Sequence, residues 1–216
     1  FAFAGLYKLG RTDVLTDISN AVTLPDPEVR MAALGVLGRL RRPASLSILS
    51  QAVYDPHPAV RAFAAGALGE FGSTDGIAPL THALSDENPR VRSVAASSIG
   101  RLGATETRSV VQPLLRDPDE HVRISAVEAL LRLGDASAVL NAADLARHPD
   151  PSVRGGAAHA LAAATTPNAL TVLESLLRDQ QPLPRLMAAR ALGKLQQKSL
   201  ISPLKTGLQD SDPTVR

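Results

Sequence analysis

The sequence predicts an all-α protein in which about seven helix pairs, each 31 residues long, stack into an α-solenoid. One arginine recurs at that interval along the chain without insertion or deletion, and such a fixed period indicates one small unit repeated in tandem. Proline and glycine recur with it, as expected at the ends of short helices. The arginines of this column are Arg30, Arg61, Arg92, Arg123, Arg154, Arg185 and Arg216.

The first helix of each pair is best seen within residues 86–116. Asn88 can cap the free N–H groups of the first turn, and Pro89 suits the first helical position. Apolar residues follow at a helical period from Val91 to Leu102, and Gly103 is then predicted to end the helix in a left-handed conformation. Glycine stands at the same place elsewhere in the chain, at Gly10, Gly72 and Gly134.

The second helix of this repeat carries its own apolar stripe, formed by Val110, Val111, Leu114 and Leu115. Asp117 then begins the next repeat. Two helices of about 11–12 residues with two tight turns account for the whole period. Two departures stand out: repeat six has a second proline at Pro184, still within the first turn of its helix, and repeat five lacks the terminating glycine.

The repeats are predicted to form a single array over residues 1–216. The chain opens within a repeat and stops where a new helix should begin, and neither end carries the polar cap that an array needs. We therefore expect a segment of a longer protein with flanking repeats or domains. The repeats fall at about 1–23, 24–54, 55–85, 86–116, 117–147, 148–178 and 179–209, with the start of another at 210.

Composition limits the possible functions. The net charge of +2 gives no long-range field for polyanions, and the absence of cysteine excludes disulfides and thiolate chemistry. No apolar run approaches the ~20 residues that span a bilayer, so we expect a soluble segment without membrane insertion. The sequence identifies no compartment, and the cytoplasm is only the default expectation.

An acidic column precedes the arginine column by six residues. Arginine and aspartate repeating in register predict a hydrogen-bonded ladder between adjacent repeats, in which each arginine has an acidic residue four or six positions upstream. The alternative is a row of arginines that binds anions. The acidic residues are Asp55, Asp86, Asp117, Asp179 and Asp210, and the exceptions in the column are Leu24 and His148.

The pattern Asp-Pro-x-x-Val-Arg-x-x-Ala-x-x-x-Leu-Gly-x-Leu-Gly, seen over residues 26–40, 86–103 and 117–134, resembles the HEAT-like repeat of the phycobilisome-lyase type. The resemblance extends over essentially the whole chain. It implies a right-handed superhelix with first helices on the convex side and second helices lining the concave side. The family is named after subunits that handle bilins, but similar repeats occur in many scaffolds.

On the implied geometry, partner contacts belong to the outward residues of the second helices. Two interpretations of an arginine row among them stay open: ordinary complement to the helix dipole, or a basic strip for an acidic partner surface. Our candidate binding residues are Tyr54, His82, Arg116, Arg147 and Arg178. The whole predicted face is Thr16, Asn20, Thr23, Ser47, Gln51, Tyr54, Ala78, His82, Ser85, Ser109, Pro113, Arg116, Leu140, Asp144, Arg147, Thr171, Ser175, Arg178, Ser202, Thr206 and Gln209.

No catalytic constellation is found. The histidines occupy different repeat columns, and zinc-binding His-x-x-x-His spacing, phosphate-binding glycine loops and nucleophile elbows are missing from the sequence. We therefore predict a non-enzymatic scaffold or adaptor for a protein or peptide, without metal or cofactor. The alternative is a bilin lyase-like or other chromophore-handling subunit. Nucleic-acid binding is a third hypothesis, weakened by the few cations and single aromatic residue of the predicted face.

Overall fold

The computed structural model describes residues 13–195, 200, 204–205 and 207–216, and within them all regular structure is helical. The chain divides into two compact units, residues 1–104 and residues 105–216. Within each unit, successive first helices pack on one another and each second helix packs on the first helices beside it. This arrangement confirms the predicted α-solenoid class.

Unit 1 contains three helix pairs or parts of pairs and one further first helix. Its α-helices are α1 Asp13–Ala21, α2 Pro27–Leu40, α3 Pro43–Ala52, α4 Pro58–Phe71, α5 Ile77–Ala83 and α6 Pro89–Leu102, with a 3-10 turn at Thr74–Gly76 before α5.

Unit 2 begins with a second helix and continues with alternating first and second helices. Its α-helices are α7 Arg108–Val111, α8 Glu120–Arg132, α9 Ala138–Leu145, α10 Pro151–Leu161, α11 Pro167–Leu176 and α12 Pro182–Lys194, with 3-10 turns at Thr105–Thr107 and Gln112–Arg116 on either side of α7.

The first helices begin where the sequence predicts, because a side-chain acceptor and a proline occur together. The side chains of Asp26, Asn88 and Asp150 each accept a hydrogen bond from the backbone N–H two residues later. His57 does the same through Nδ1, 3.3 Å from the nitrogen of Ala59. Gln181 makes no such bond, and α12 starts on Pro182 alone.

The helix ends also follow local chemistry. Gly72, Gly103 and Gly134 adopt φ values of 80°, 70° and 82°, as predicted for a left-handed end, whereas Gly10 lies outside the described residues. Arg41 adopts the same conformation at φ 48°, although it carries a side chain. In repeat five, α10 stops after 11 residues, compared with 14 in α2, α4 and α6.

The second helices are shorter than predicted. α5 has 7 residues, α9 has 8, and α7 has only 4 before the backbone tightens into a 3-10 turn. That turn contains Pro113, which lacks an N–H and so cannot donate to the carbonyl of Ser109. The prediction of two helices of similar length is therefore wrong for α5, α7 and α9, whereas α3 and α11 have 10 residues each.

The core of each unit consists of small and branched aliphatic side chains, and helices approach closely over it. Leu34, Leu68 and Ile99 are fully buried in unit 1. A Cβ added at Gly69 would lie 2.6 Å from Cβ of Ser98, so α4 and α6 touch at that glycine. No helix in the described part of the chain is both long and apolar enough to cross a membrane.

Candidate functional site

The arginine column lies at the turns between repeats. In unit 1, Nε and Nη2 of Arg30 donate to the two carboxylate oxygens of Asp55, each at 2.8 Å. Nη1 of the same arginine donates to the main-chain carbonyls of Leu24 and Pro25, at 2.8 and 2.7 Å. One guanidinium therefore holds its own turn and binds the following repeat, and planar bidentate pairing of this kind requires arginine.

The same arrangement recurs in both units. Pairs Arg61–Asp86 and Arg154–Asp179 each have two charge-assisted hydrogen bonds of 2.6–2.8 Å, and Arg185–Asp210 has the same geometry. The aspartate is always 25 residues after its arginine. The aspartate six residues upstream contributes its main-chain carbonyl instead, as Asp55 does to Arg61 at 3.0 Å. These arginines thus pair with the aspartate of the next repeat, as a ladder between adjacent repeats requires, and the upstream residue is not the ion-pair partner.

Each ladder aspartate has a second role in its turn. Oδ1 of Asp55 accepts the N–H of His57 at 2.8 Å, and Oδ1 of Asp179 accepts that of Gln181 at 2.9 Å. The hydrogen bond from Arg154 is the main cause that lowers the pKa of Asp179. The hydrogen bond from Arg185 lowers the pKa of Asp210 to about 2. These carboxylates therefore stay ionised well below neutral pH.

Unit 2 contains a rung without an aspartate. His148 stands in the acidic column, and its Nδ1 accepts the N–H of Asp150 at 3.1 Å, in place of a carboxylate oxygen. Nη2 of Arg123 lies 3.3 Å from Oε1 of Glu120, which is also 3.8 Å from Nε2 of His148. Glu120 occupies a position where most repeats have proline. The exception at His148 in the acidic column therefore lies beside a second exception, Glu120, in the preceding repeat.

These contacts occupy the arginine column within the described residues. Arg92 and Arg123 likewise donate through Nη1 to two carbonyls of their own turns. A guanidinium that already holds a carboxylate and two carbonyls has little capacity left for an external anion. The ladder is therefore a structural device, and candidate binding residues must be found elsewhere.

A second surface consists of the outward residues of the second helices, here called the second-helix face. It comprises the residues predicted from the sequence, and every one that the structure describes is exposed, whereas Ser202 and Thr206 lie outside the described residues. In unit 1, Tyr54 is 59% exposed. Its ring centroid lies 4.6 Å from that of His82, with the ring planes tilted by 39°. Two candidate residues from successive repeats thus form one aromatic contact.

In unit 2, the three candidate arginines occupy equivalent positions at the ends of second helices, and all are exposed. Arg116 ends the 3-10 turn after α7, while Arg147 and Arg178 lie in the turns after α9 and α11. Nη1 of Arg147 lies 3.6 Å from Asp144, an exposed pair of little strength. Leu140, on the same side of α9, is 68% exposed.

The described parts of these two surfaces contain no metal site. Within the described residues, no group of three or more histidine, aspartate or glutamate side chains could hold a metal ion.

Comparison with solved structures shows the fold. The Escherichia coli protein YibA is 17% identical, with a TM-score of 0.61 over 93% of this chain and 89% of that chain. The complex of CpcE and CpcF of phycocyanin lyase from Nostoc sp. PCC7120 is 19% identical, with a TM-score of 0.54 over 88% and 92%. A designed armadillo repeat protein in complex with the peptide (KR)4 is 20% identical, with a TM-score of 0.52 over 84% and 99%.

Comparison with proteins of curated function finds no match. The family model for HEAT repeats matches residues 47–130 and 107–184, which together span more than half of the 216 residues. The matched segments include complete Arg–Asp rungs and the left-handed glycines described above. The phycobilisome-lyase subtype expected from the sequence is a finer assignment than this match supports. The chain belongs to the family of HEAT repeat proteins.

Proposed function

We propose that this protein is a non-enzymatic scaffold or adaptor that binds a protein or peptide along its second-helix face, the side expected to be concave. The observation that carries the proposal is the exposed aromatic contact between Tyr54 and His82. Tyrosine is enriched at protein interfaces and among the residues that dominate binding energies.

The construction of the face favours binding without large rearrangement. The helices that present it are fixed by buried aliphatic side chains and by the ladder, so a partner meets a surface that is already ordered. Little conformational entropy is then lost on binding, and many shallow contacts can add up to useful affinity. The designed armadillo neighbour, solved with a peptide, supports this use of stacked helices.

A peptide display library tests the proposal. Unstructured 12-residue peptides are selected against the chain, and selected peptides are measured by fluorescence anisotropy on a Tyr54→Ala/His82→Ala variant. Phe63→Ala is the matched control, because Phe63 is an aromatic residue, 40% exposed, on a first helix of the same unit. We expect the double variant to weaken binding by about ten-fold or more, as for hot-spot residues, and the control to bind normally.

The melting temperatures of both variants must be recorded, so that a loss of binding is not confused with a loss of structure. Exposed residues usually change stability by less than about 0.5 kcal/mol when truncated. The proposal would be contradicted if no peptide is selected. It would also be contradicted if the affinity of the selected peptides is unchanged in both the Tyr54→Ala/His82→Ala variant and the Phe63→Ala control.

A second candidate function comes from the similarity to the phycocyanin lyase complex, which is limited to the fold. A bilin handled between second helices should change its absorption spectrum when mixed with the protein. We rank this function below the scaffold, because the second-helix face has exposed small polar side chains where a large apolar ligand would need an enclosed apolar pocket. A spectral shift abolished by Tyr54→Ala/His82→Ala would reverse the ranking.

A further inference from the structure

We infer that the second-helix face of unit 2 binds an extended acidic peptide that carries a carboxylate at every third residue. This inference rests on the proposed function and specifies the partner of one part of the face. Its basis is the row of Arg116, Arg147 and Arg178, called here the arginine row. Its members are exposed at equivalent positions of three successive repeats.

The charge of the row is available to a partner. Among the described residues, the only carboxylate within ion-pair distance of the arginine row is Asp144, 3.6 Å from Arg147. The ladder aspartates beside these turns are engaged elsewhere, as Asp179 is by Arg154. The arginine row therefore keeps a net positive charge and favours an acidic partner.

The spacing of the row selects the conformation of the peptide. The first helices α8, α10 and α12 pack in succession, and α9 contacts α11. Packed helices lie about 8–10 Å apart, so Arg147 and Arg178, which follow α9 and α11, should be separated by about that distance. Arg116 occupies the equivalent position one repeat earlier, so the same interval is expected there. A polyproline II peptide advances about 9 Å in three residues and completes one turn, which returns every third side chain to the same side. A β-strand alternates sides, so its third residue points away.

Hydroxyl groups beside the row favour an extended peptide over a helix. Thr171 Oγ1 donates to the carbonyl of Pro167 at 3.1 Å, and Ser175 Oγ donates to that of Val172 at 2.7 Å. Both oxygens keep lone pairs that can accept from a peptide N–H. An extended peptide has free N–H groups to donate, whereas a helix uses nearly all of its own. Exposed Leu140 offers an apolar contact to the residues between the carboxylates.

The test uses three synthetic nonapeptides with blocked ends. The first repeats Glu-Pro-Ala three times, the second has the same composition with its glutamates adjacent, and the third has lysine in place of glutamate. We expect the first to bind at least about ten-fold tighter than the second, and the third not to bind. Added salt should weaken binding, because the charges are exposed.

Substitutions assign the binding to the arginine row. Each of Arg116→Ala, Arg147→Ala and Arg178→Ala should weaken binding by about three-fold, and the triple variant by about thirty-fold, because exposed ion pairs at separate sites are weak and nearly additive. Lys194→Ala is the control, since Lys194 is an exposed cation at the end of a first helix. Equal binding of the two glutamate peptides, or unchanged binding to the triple variant, overturns the inference.

Two further outcomes separate this inference from the proposed function. Tighter binding of a helical peptide with glutamates seven residues apart overturns the extended conformation. Library peptides that fail on Tyr54→Ala/His82→Ala support the scaffold function by themselves, and equal binding of the two glutamate nonapeptides then overturns the acidic partner while the scaffold function stands. If no library peptide binds and the Glu-Pro-Ala peptide also fails, both proposals fall.

Discussion

Nε2 of His148 lies 3.8 Å from Oε1 of Glu120, and this contact joins two exceptions to the repeat. His148 replaces the ladder aspartate, and Glu120 replaces the proline that opens most first helices. Glu120 also lies 3.3 Å from Nη2 of Arg123, so a carboxylate still faces the arginine but comes from the arginine's own helix. The side chain of Glu120 is 39% exposed, compared with 10% for Asp179, so the substitute pair is more weakly held.

Restoring the aspartate should strengthen this rung. His148→Asp is expected to raise the free energy of unfolding by about 1–2 kcal/mol, because Arg123 would gain a bidentate partner while the turn keeps its acceptor for the N–H of Asp150. Glu120→Pro combined with His148→Asp restores the common pattern and should be at least as stable. Denaturant unfolding measures the stability of both variants. His121→Asp is the charge control, because His121 is an exposed residue on α8, next to Glu120. If both variants are less stable than the wild type, the natural pair of Glu120 and His148 stabilises this junction more than the common proline and aspartate would.

Acid should weaken the ladder. Because the pKa of Asp179 and Asp210 is lower in the folded protein than the ordinary value near 3.9, their stabilisation is fully present above about pH 4–5 and is lost as pH falls toward 2. The stability difference between wild type and Asp179→Asn should therefore be largest near neutral pH and shrink in acid. Urea unfolding at several pH values measures it, and a difference independent of pH would contradict the assignment.

Breaking a complete rung should cost more than removing an exposed arginine. Arg61→Ala leaves the carboxylate of Asp86 in a mostly buried position and frees two carbonyls, so we expect a loss of about 3 kcal/mol. Arg61→Lys should recover only part of this, since an ammonium group cannot form the planar pair. Arg90→Ala, an exposed change on α6, should cost less than about 0.5 kcal/mol. Equal losses at Arg61 and Arg90 would contradict the structural role of the ladder.

The contact between α4 and α6 predicts opposite effects at two glycines. In Gly69→Ala the new methyl group would meet buried Ser98 at 2.6 Å, which should destabilise the protein by about 1–3 kcal/mol. In Gly193→Ala nothing lies within 4 Å, and the better helix propensity should stabilise it by up to about 1 kcal/mol. Thermal unfolding of the two variants checks the expected difference in sign.

The fold was predictable because its determinants are local. Caps, prolines and left-handed glycines specify where first helices begin and end, and helical periodicity separates the buried residues from those of the second-helix face. The left-handed Arg41 was not predictable, since arginine has no preference for that conformation. The short α7 was missed because propensity alone does not decide where Pro113 tightens the backbone.

Pairings between repeats were harder to predict from the sequence. Arg61, Arg92 and Arg185 each have one aspartate six residues before them and another 25 residues after them, and spacing alone does not decide between the two. The capping turn decides, because it directs the carboxylate of Asp55 toward Arg30 and leaves only its carbonyl for Arg61. The contact of Tyr54 with His82 depends in the same way on the packing of successive repeats.

Each complete rung takes its arginine from one repeat and its aspartate from the next. A repeat duplicated in tandem therefore supplies both the arginine and the aspartate that a new junction between repeats needs. The array can lengthen by gene duplication without any further substitution at the junction. The repeat that starts at His148 is not interchangeable in this way, because its imidazole matches a neighbour that offers Glu120. Moved elsewhere, it would face an arginine without a carboxylate. His148 and Glu120 therefore fix which two repeats can be neighbours at this one junction, whereas repeats joined by Arg–Asp rungs could be exchanged.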